Sequence, residues 1–356
     1  MTHPALRTKA CEVLGCEVPI VQTGMGWVSD SHLTAATSAA GGFGILGGVT
    51  MDLDELRVAV KDVKERTDRP FGVNLRADQP DVRDRVDFLV QERVRVASFA
   101  MAPTKEVVDR LHDGGVLVVP SIGAKRHAEK VAELGVDAVV AQGGEGGGHT
   151  GPVATTLLLP QIVDALAPHG LPVIAAGGFF DGRGLVAALA YGAAGVAMGT
   201  RFVLTQESPV PEAVKRFYLS KSVLDTVVTT QVDGVPHRVL RTELVEELDR
   251  GGRLRTLTRA FRNAAAFHKL SGTSWLQLLR EGTALRKRHG LTWSQVFMAG
   301  NTPILLRRAM VEGDAGAGVM ASGQVVGVID DLPTVAELIA RLAREADETL
   351  QRLTNG

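Results

Sequence analysis

The chain of 356 residues is long enough for one large α/β barrel with an appendage or for two smaller domains. It has 45% hydrophobic and 22% charged residues, as ordinary globular proteins do, and its formal net charge of -1 gives no general attraction to nucleic acids or membranes. Aromatic residues make up only 4%, which argues against stacking on single-stranded nucleic acid.

The N-terminal region contains the two cysteines, Cys11 and Cys16. Two neighbouring cysteines indicate neither a disulfide framework nor a zinc site, and we expect reduced thiols and no bound metal. The segment 1–21 lacks a long apolar core after basic residues, and no segment approaches the roughly 20 apolar residues of a membrane span. We therefore predict a cytoplasmic protein with no nucleic-acid and no membrane partner.

Between Pro19 and about Leu204, eight short apolar segments repeatedly give way to glycine or a polar residue and then to a helical pattern. They are PIVQTG (19–24), GFGILGG (42–48), FGVNL (71–75), VRVASFA (94–100), VLVVPS (116–121), DAVVAQG (137–143), PVIAAGG (172–178) and GVAMGT (195–200). This alternation is typical of parallel β/α units, and eight units predict a TIM (β/α)8 barrel. An open sheet is the alternative, because periodicity does not report closure.

The helices between these strands carry recognisable start signals. In DLDELRVAVKDVKERTD, Asp52 is placed as an N-cap with Glu55 three residues later, before apolar residues at helical spacing. Each helix is short enough for a crossover between parallel strands.

The pattern changes after Gln206. TVVTTQVDGVPHRVL reads as extended, 242–308 as mainly helical, and the tail as a short strand in GQVVGV followed by an amphipathic helix. We predict an FMN-binding barrel over 1–210, a mainly helical substrate-side insertion over 211–322, and a strand and helix over 323–356 that pack back on the barrel.

Glycines follow the seventh and eighth predicted strands, where barrels of this kind hold phosphate. Gly177, Gly178, Gly199 and Thr200 can direct backbone N–H groups and a hydroxyl toward an anion. The helix that starts near Asp181 is expected to add its N-terminal dipole. The alternative is that these glycines only permit tight turns.

Amides stand at the ends of three other strands: Gln22, Asn74 and Gln142. An asparagine in mid-strand is disfavoured unless something bonds to it. A flat ring with a polar edge, joined to a phosphate, would use these amides and glycines together, and FMN fits better than a sugar phosphate. A Rossmann dinucleotide motif is not present in the sequence.

Six motifs follow one another in order through nearly the whole chain: PIVQTGMGW, PFGVNL, AQGGEGGGHTG, PVIAAGGFFDGRG, GVAMGTRF and GQVVGVIDD. Together they resemble the nitronate monooxygenase family, formerly called 2-nitropropane dioxygenases, which includes flavin-dependent enoyl-acyl-carrier-protein reductases. The resemblance implies a TIM barrel that holds FMN non-covalently. It places Gly24, Met25, Gly26, Asn74 and Gln142 at the flavin ring, Gly147 with Gly177, Gly178, Gly199 and Thr200 at the phosphate, and His149 at the substrate proton.

An imidazole can donate or accept a proton near neutral pH, so His149 is the catalytic candidate; the alternative is an ordinary polar loop residue. Glu145 is expected to fix its loop by accepting backbone N–H bonds. Lys125, Arg238 and Arg241 are candidate substrate-binding residues.

Within the family, the chain is most similar to an actinobacterial subgroup of flavin-dependent reductases of steroid-ring degradation that act on a methyl-indanone carboxyl-CoA. We therefore predict an FMN-dependent ene-reductase of an unsaturated keto acyl-CoA, with NADH or NADPH as reductant and a possible homo-oligomeric state. Two alternatives stay open: a nitronate monooxygenase, and a non-redox phosphate-ligand barrel. Basic residues over 250–308 suit the phosphates of coenzyme A, although a solvated face is the other interpretation.

Overall fold

The computed structural model describes residues 3–232, 234–250, 304–316 and 318–355. The chain divides into two compact units. The barrel unit comprises Met1–Gly146, Thr150–Pro209 and Val328–Gly356, and the insertion unit comprises Gly147–His149 and Val210–Gly327.

Eight parallel strands form a closed barrel, which confirms the predicted fold. They are β1 Ile20–Gln22, β2 Phe43–Leu46, β3 Gly72–Leu75, β4 Val96–Phe99, β5 Leu117–Ile122, β6 Val139–Gln142, β8 Val173–Ala176 and β9 Gly195–Met198, while β7, Gly148–His149, belongs to the insertion unit. The first and last strands close the barrel by pairing in parallel from Ile20↔Val196 to Gln22↔Met198.

Helices connect the strands in the predicted alternation. Those of the barrel unit are α1 Lys9–Leu14, α2 Ser31–Ala39, α3 Leu53–Arg66, α4 Val82–Gln91, α5 Lys105–Asp113, α6 Lys125–Glu133, α7 Thr155–Leu166, α8 Gly182–Ala190, α9 Thr200–Val203 and α12 Val335–Asn355, and those of the insertion unit are α10 Glu212–Leu219 and α11 Glu243–Arg250. The predicted cap of α3 is present: the Asp52 carboxylate accepts from the Glu55 amide at 2.8 Å and the Glu55 carboxylate accepts from the Asp52 amide at 2.9 Å.

The strands are apolar because both of their faces are covered. Every residue of β1, β2, β3, β4, β8 and β9 is buried. Ala10 and Leu14 of α1 join a buried cluster of strand residues that includes Val21, Phe43 and Val140. Helix α1 therefore closes the base of the barrel, at the amino ends of the strands.

The C-terminal helix α12 packs closely on α8. A Cβ on Gly182 would lie 2.4 Å from the backbone nitrogen of Ala346, so only glycine permits this approach. Leu338, Ile339 and Leu342 of α12 are buried. The amphipathic pattern of the tail thus predicted this helix correctly.

The strand expected in GQVVGV is not formed. Gln324–Val328 is a 3-10 helix instead, with Val325 and Val326 buried and the Val326 amide donating to the Gly323 carbonyl at 3.2 Å. A Cβ on Gly327 would lie 1.9 Å from the Val223 backbone nitrogen. This close backbone packing favours a compact turn, whereas the alternation of valine and glycine alone suggested an extended segment.

The insertion unit contains a three-stranded antiparallel sheet in the order β10, β11, β7, in which β10 is Thr226–Thr229 and β11 is His237–Leu240. The first two strands lie in the segment predicted as extended. Tyr218 of α10 is buried, and its hydroxyl donates to the Ala321 carbonyl at 2.8 Å. The apolar core of the unit consists of Val232, Val239, Leu244, Val245, Leu248, Leu305 and Val319.

Part of the predicted helical stretch can be compared with the structure. Helix α11 and a helical segment over 304–310 agree with the prediction. Residues 251–303, which carry most of the basic residues of the stretch 250–308, lie outside the described residues. In the part of the chain that the structure describes, no helix is both long and apolar enough to cross a membrane.

A buried guanidinium joins α9 to the segment before α12. The Arg201 side chain is 3% exposed and donates to the Asp331 carboxylate at 2.9 Å. Arg341 of α12 donates to the same carboxylate at 2.5 Å. The hydrogen bond from Arg341, together with the charge of Arg201, holds the pKa of Asp331 below its usual value.

We expect Asp331→Asn to lower the free energy of unfolding by about 2 kcal/mol at neutral pH, because a buried charge that loses its partner costs roughly 3–5 kcal/mol and Asp331 is partly in water. Since the folded-state pKa is depressed, this stabilisation is present above the unfolded pKa and lost as the pH falls through the folded value. Urea titrations of Asp331→Asn and of the exposed neighbour variant Asp330→Asn, between neutral and acidic pH, measure the difference. Equal stabilities of the two variants at neutral pH would contradict the assignment.

Candidate functional site

The predicted cofactor-binding residues of the barrel unit lie at one end of the barrel. Gly24, Met25 and Gly26 follow β1, Gln142 ends β6, and Asn74 lies in β3. The remaining members of this set follow β8 or β9: Gly177, Gly178, Gly199 and Thr200. Because the strands are parallel, these positions share the carboxyl end of the barrel, where barrel enzymes hold their active sites.

Ser29 organises the loop after β1. Its hydroxyl donates to the Thr23 carbonyl at 2.8 Å and accepts from the Met25 amide at 2.9 Å. Gln22 is fully buried, and its amide nitrogen donates to the Ser29 hydroxyl at 2.8 Å and to the Ile45 carbonyl at 3.1 Å. Gln22 thus supports the loop through buried hydrogen bonds. From the sequence alone, this structural role could not be distinguished from ligand binding.

Close contacts fix the path of this loop across the barrel end. A Cβ on Gly24 would lie 2.3 Å from the Asn74 Cβ, and one on Gly26 would lie 2.6 Å from a methyl carbon of Thr50. Trp27 follows with a φ of 66°, in the left-handed region that aromatic side chains rarely adopt. Such strain persists only where the surroundings impose it, and it clusters at functional sites.

The glycines after β8 meet the loop after β6. Gly177 has a φ of +91°, and a Cβ there would lie 2.9 Å from the Gly143 carbonyl oxygen and 3.1 Å from the Gly146 nitrogen. Gly178 has a φ of +86° and is exposed, and a Cβ there would have no heavy atom nearer than Glu145 Cβ at 3.7 Å. Gly177 is therefore required by packing, whereas Gly178 presents bare backbone to open space.

Glu145 anchors the glycine-rich loop, as predicted. One carboxylate oxygen accepts from the Thr155 amide at 3.0 Å and from the Thr155 hydroxyl at 2.6 Å. Thr155 is the first residue of α7, so the carboxylate caps that helix and favourably meets its N-terminal dipole. The Glu145 carboxylate therefore has a structural role at the start of α7.

Gly199 and Thr200 lie beside the loop after β1. A Cβ on Gly199 would lie 3.2 Å from the Thr23 hydroxyl and 3.4 Å from the Met25 sulfur. Thr200 is buried at the start of α9. The closure of β1 on β9 therefore brings the predicted ring-binding and phosphate-binding groups together.

Two carboxylates cap the start of α8. The Asp181 carboxylate accepts from the Gly184 amide at 2.8 Å, and the Gly182 amide donates to the Glu345 carboxylate at 2.9 Å. Two carboxylates already occupy the first turn, and their negative charge would repel a phosphate. The expectation that this helix dipole supports phosphate binding stays a prediction, and the sequence did not reveal that α12 would deliver Glu345 to this helix start.

A histidine pair lies in the insertion unit. His149 of β7 is directly opposite His237 of β11, and their ring centroids are 4.6 Å apart with the planes tilted by 42°. His149 is exposed, whereas His237 is 3% exposed. Sequence reasoning did not single out His237, because a two-residue strand such as β7 leaves no periodic signal of its pairing.

The other candidates have different surroundings. Gly147 packs against the backbone of Ser322 and Gly323. A Cβ on Gly147 would lie 2.5 Å from the Gly323 nitrogen and 2.5 Å from the Ser322 carbonyl carbon. Arg238 of β11 donates to the Thr226 hydroxyl at 3.0 Å, and Arg241 is exposed. Lys125 begins α6 with its side chain 56% exposed and lies 3.7 Å from Glu129, so it behaves as a solvated residue at a helix start.

The model of the family described as nitronate monooxygenase matches residues 7–88 and 82–345. The chain belongs to the nitronate monooxygenase family. It is therefore a flavin-dependent oxidoreductase, as predicted, and the alternative of a non-redox phosphate-ligand barrel is wrong.

Two similar proteins of this family have the same printed name, (3aS,4S,5R,7aS)-5-hydroxy-7a-methyl-1-oxo-octahydro-1H-indene-4-carboxyl-CoA dehydrogenase. The protein from Mycobacterium tuberculosis is 59% identical over 97% of this chain and 98% of its own length. The protein from Rhodococcus jostii is 56% identical over 98% of each chain. A solved structure, FabK from Thermotoga maritima, is similar with a TM-score of 0.80 and 34% identity, covering 98% of this chain and 99% of that one.

Gly178→Asp should lower the flavin content of the purified protein, because it places a negative charge and a side chain where bare backbone faces open space. Gly135→Asp is the matched control: its φ is +79°, it also has no heavy atom within 4 Å of an added Cβ, and it precedes β6 at the base of the barrel. Absorbance in the flavin bands per mole of protein reports the result. Loss of flavin from both variants, or from neither, would place the phosphate elsewhere.

Proposed function

We propose that the protein is an FMN-dependent oxidoreductase that interconverts the saturated and α,β-unsaturated forms of a bicyclic hydroindanone carboxyl-CoA, with a nicotinamide nucleotide as its redox partner. The observation that carries this proposal is the similarity, over nearly the full length of each chain, to two proteins named for that class of substrate. The substrate class predicted from the sequence motifs is the same.

The residues at the carboxyl end of the barrel fit FMN. Gly178 offers exposed backbone in a conformation that a side chain would strain, and Gly199 lies beside the loop after β1. With Gly177 and Thr200, they would hold the phosphate through backbone groups and a hydroxyl. Gly24, Met25, Gly26, Asn74 and Gln142 would contact the ring. We propose FMN rather than a dinucleotide because a phosphate site after β8 and β9 accounts for one phosphate group.

The direction of the reaction follows from the names of the relatives. The sequence suggested a reductase, whereas both relatives are named as dehydrogenases of an octahydro ring system. Reduction of a carbon–carbon double bond and dehydrogenation of the corresponding single bond are the same reaction in opposite directions. We therefore propose the same pair of carbons, α and β to the thioester, with dehydrogenation as the forward reaction and NAD⁺ or NADP⁺ as the final acceptor.

A bound flavin supplies the acceptor for a hydride from the β-carbon. For this hydride to leave, the protein must remove a proton from the α-carbon, which the thioester carbonyl makes acidic. His149 is the residue that we propose for this proton, because imidazole accepts protons near neutral pH and this ring is exposed at the end of the glycine-rich loop. In the reverse direction the same imidazolium returns the proton to the α-carbon.

The coenzyme A portion of the substrate requires cationic partners for its phosphates. Arg241 is exposed, and we propose it as such a partner. Arg238 is half-buried with a hydrogen bond to the Thr226 hydroxyl, so we propose that it supports the sheet next to His149 as well as the substrate. Lys125, which lies beside Glu129 on a helix surface, is the weakest candidate of the three.

The test is anaerobic mixing of the purified enzyme with one compound at a time: a saturated hydroindanone carboxyl-CoA, NADH, NADPH or an alkyl nitronate. Bleaching of the flavin by the thioester, together with a product two hydrogens lighter and with the absorbance of a conjugated thioester, supports the proposal. Oxidation of a ring hydroxyl gives the same mass change without that absorbance. Flavin reduction by the nitronate alone would instead favour nitronate oxidation, the activity named in the family model.

His149→Ala should leave flavin bound, because all of the residues predicted to hold it except Gly147 belong to the barrel unit, yet it should slow thioester turnover by about 10² to 10³ through loss of the proton acceptor. Electron exchange between flavin and nicotinamide needs no side-chain proton and should change little. Stopped-flow measurement of the two half-reactions separates them. Equal slowing of both half-reactions would indicate a distorted loop, and no slowing would exclude His149 as the base.

His237→Ala should lower kcat by on the order of 10-fold to 10²-fold with little change in KM, because the ring against which His149 packs is removed. His237→Phe is the matched variant, since it keeps an aromatic ring at the same position, and it should recover most of the activity. Steady-state kinetics of both variants with intact flavin content give the answer. If the Phe variant is as slow as the Ala variant, the ring contact does not position His149.

A further inference from the structure

Arg85 is a buried cation near the start of α4, the helix that follows β3. Its side chain is 3% exposed, and its Nε donates to the Asp81 carboxylate at 2.9 Å. The desolvation of a guanidinium is costly, and the helix dipole disfavours a cation near a helix N-terminus. We therefore expect Arg85 to have a role that an apolar side chain could not fill.

The terminal nitrogens of Arg85 bind both ends of the turn that follows β2. One nitrogen donates to the Gly48 carbonyl at 3.0 Å and the other donates to the Met51 carbonyl at 2.7 Å. Gly48–Thr50 is a single 3-10 turn, and the Met51 amide donates to the Gly48 carbonyl at 3.3 Å. The planar fork of arginine holds these two carbonyls at a fixed separation, which the single ammonium of lysine could not do.

This turn supports the loop after β1, which is proposed to contact the flavin ring. The Trp27 amide donates to the Thr50 hydroxyl at 3.2 Å, and a Cβ on Gly26 would lie 2.6 Å from the Thr50 methyl carbon. A Cβ on Gly48 would lie 2.9 Å from the Asn74 carbonyl oxygen. Trp27 has a φ of 66°, a strained conformation that persists only with support from its surroundings. The turn thus packs against two of the segments proposed to meet the ring.

We propose that Arg85 is a positioning residue for the flavin: by binding the Gly48 and Met51 carbonyls, it keeps Thr50 against the ring-facing loop. This inference rests on the proposed function, which places the flavin ring at the loop after β1. Arg85 itself touches neither flavin nor substrate in this role and acts through Thr50. Because groups around the ring tune a bound flavin, the loss of this support should change both the affinity for flavin and its absorbance spectrum.

The first experiment compares Arg85→Lys with Asp81→Asn in the full-length holoenzyme. Lysine keeps the charge but loses the fork, so we expect the dissociation constant of FMN to rise about 10-fold and the flavin absorbance maxima to shift. Asp81→Asn is the matched control, since it alters the ion pair of Arg85 and leaves both carbonyl bonds in place. It should lower the urea midpoint without changing the flavin affinity or spectrum. Fluorescence of flavin released on dilution measures the affinity, and equal flavin effects in the two variants would overturn the proposal.

The second experiment changes Thr50, which is half-buried and tolerates small replacements better than a buried arginine does. Thr50→Val keeps the methyl group against Gly26 but removes the acceptor of the Trp27 amide, and it should reproduce the flavin effects of Arg85→Lys. Thr50→Ser keeps the hydroxyl and should recover most of the affinity. The double variant Arg85→Lys/Thr50→Val should bind flavin no more weakly than the weaker single variant, because both changes remove the same support. Additive losses of affinity would show that Arg85 does not act through Thr50.

Anaerobic addition of a saturated hydroindanone carboxyl-CoA to the same proteins separates this inference from the proposed function. If the thioester does not bleach the parent flavin while Arg85→Lys still weakens and shifts the flavin, the proposed substrate is wrong and the positioning role stands. If the thioester bleaches the parent, and Arg85→Lys and Thr50→Val both have the flavin affinity and spectrum of the parent, the proposed function stands and the positioning role is wrong.

Discussion

The pairing of β1 with β9 is the interaction on which the site depends. Three register pairs from Ile20↔Val196 to Gln22↔Met198 convert eight strands into a ring. Only in a ring does the loop after the first strand lie beside the loop after the last, so that Gly199 faces Thr23 and Met25. The backbone pairing of β1 with β9 thus makes neighbours of residues that are far apart in the chain.

Glycine lets these loops approach one another more closely than any side chain would permit. Gly24 lies against Asn74, and Gly177 lies against the backbone of Gly143 and Gly146. Carboxylates then hold the assembly from outside, with Glu145 on the start of α7 and Glu345 on the start of α8. Both carboxylates are thus engaged in capping helices. The exposed backbone of Gly178 faces open space.

The sequence predicted the barrel well because strand and helix periods are local properties. Each barrel strand lies within its predicted segment, except that β5 extends one residue further, to Ile122, and the capping box of α3 is present. Contacts between distant segments could not be predicted in the same way. Ser29 and Thr50 organise the loop after β1, and Glu345 reaches α8 from the other end of the chain. None of these residues has a sequence pattern that reports its partner.

The histidine pair shows the same limit on a smaller scale. The motif around His149 identified that residue, but its neighbour His237 is 88 positions further along and is brought near by a strand of two residues. The expected strand in GQVVGV failed for a related reason, since valine and glycine suit both an extended segment and a tight 3-10 turn. The backbone packed at Gly327 decides between them.

The position of α12 after the insertion unit has a consequence for synthesis on the ribosome. The groove at Gly182 that receives Ala346 is translated well before the helix that fills it, with the whole of Val210–Gly327 in between. Nascent chains emerge at about 5–20 residues per second, so the apolar face of α8 stays uncovered for several seconds or longer. The barrel cannot mature domain by domain as it is made. Its completion waits until Val335–Asn355 has left the exit tunnel, and chaperones that bind apolar surface have that interval in which to act.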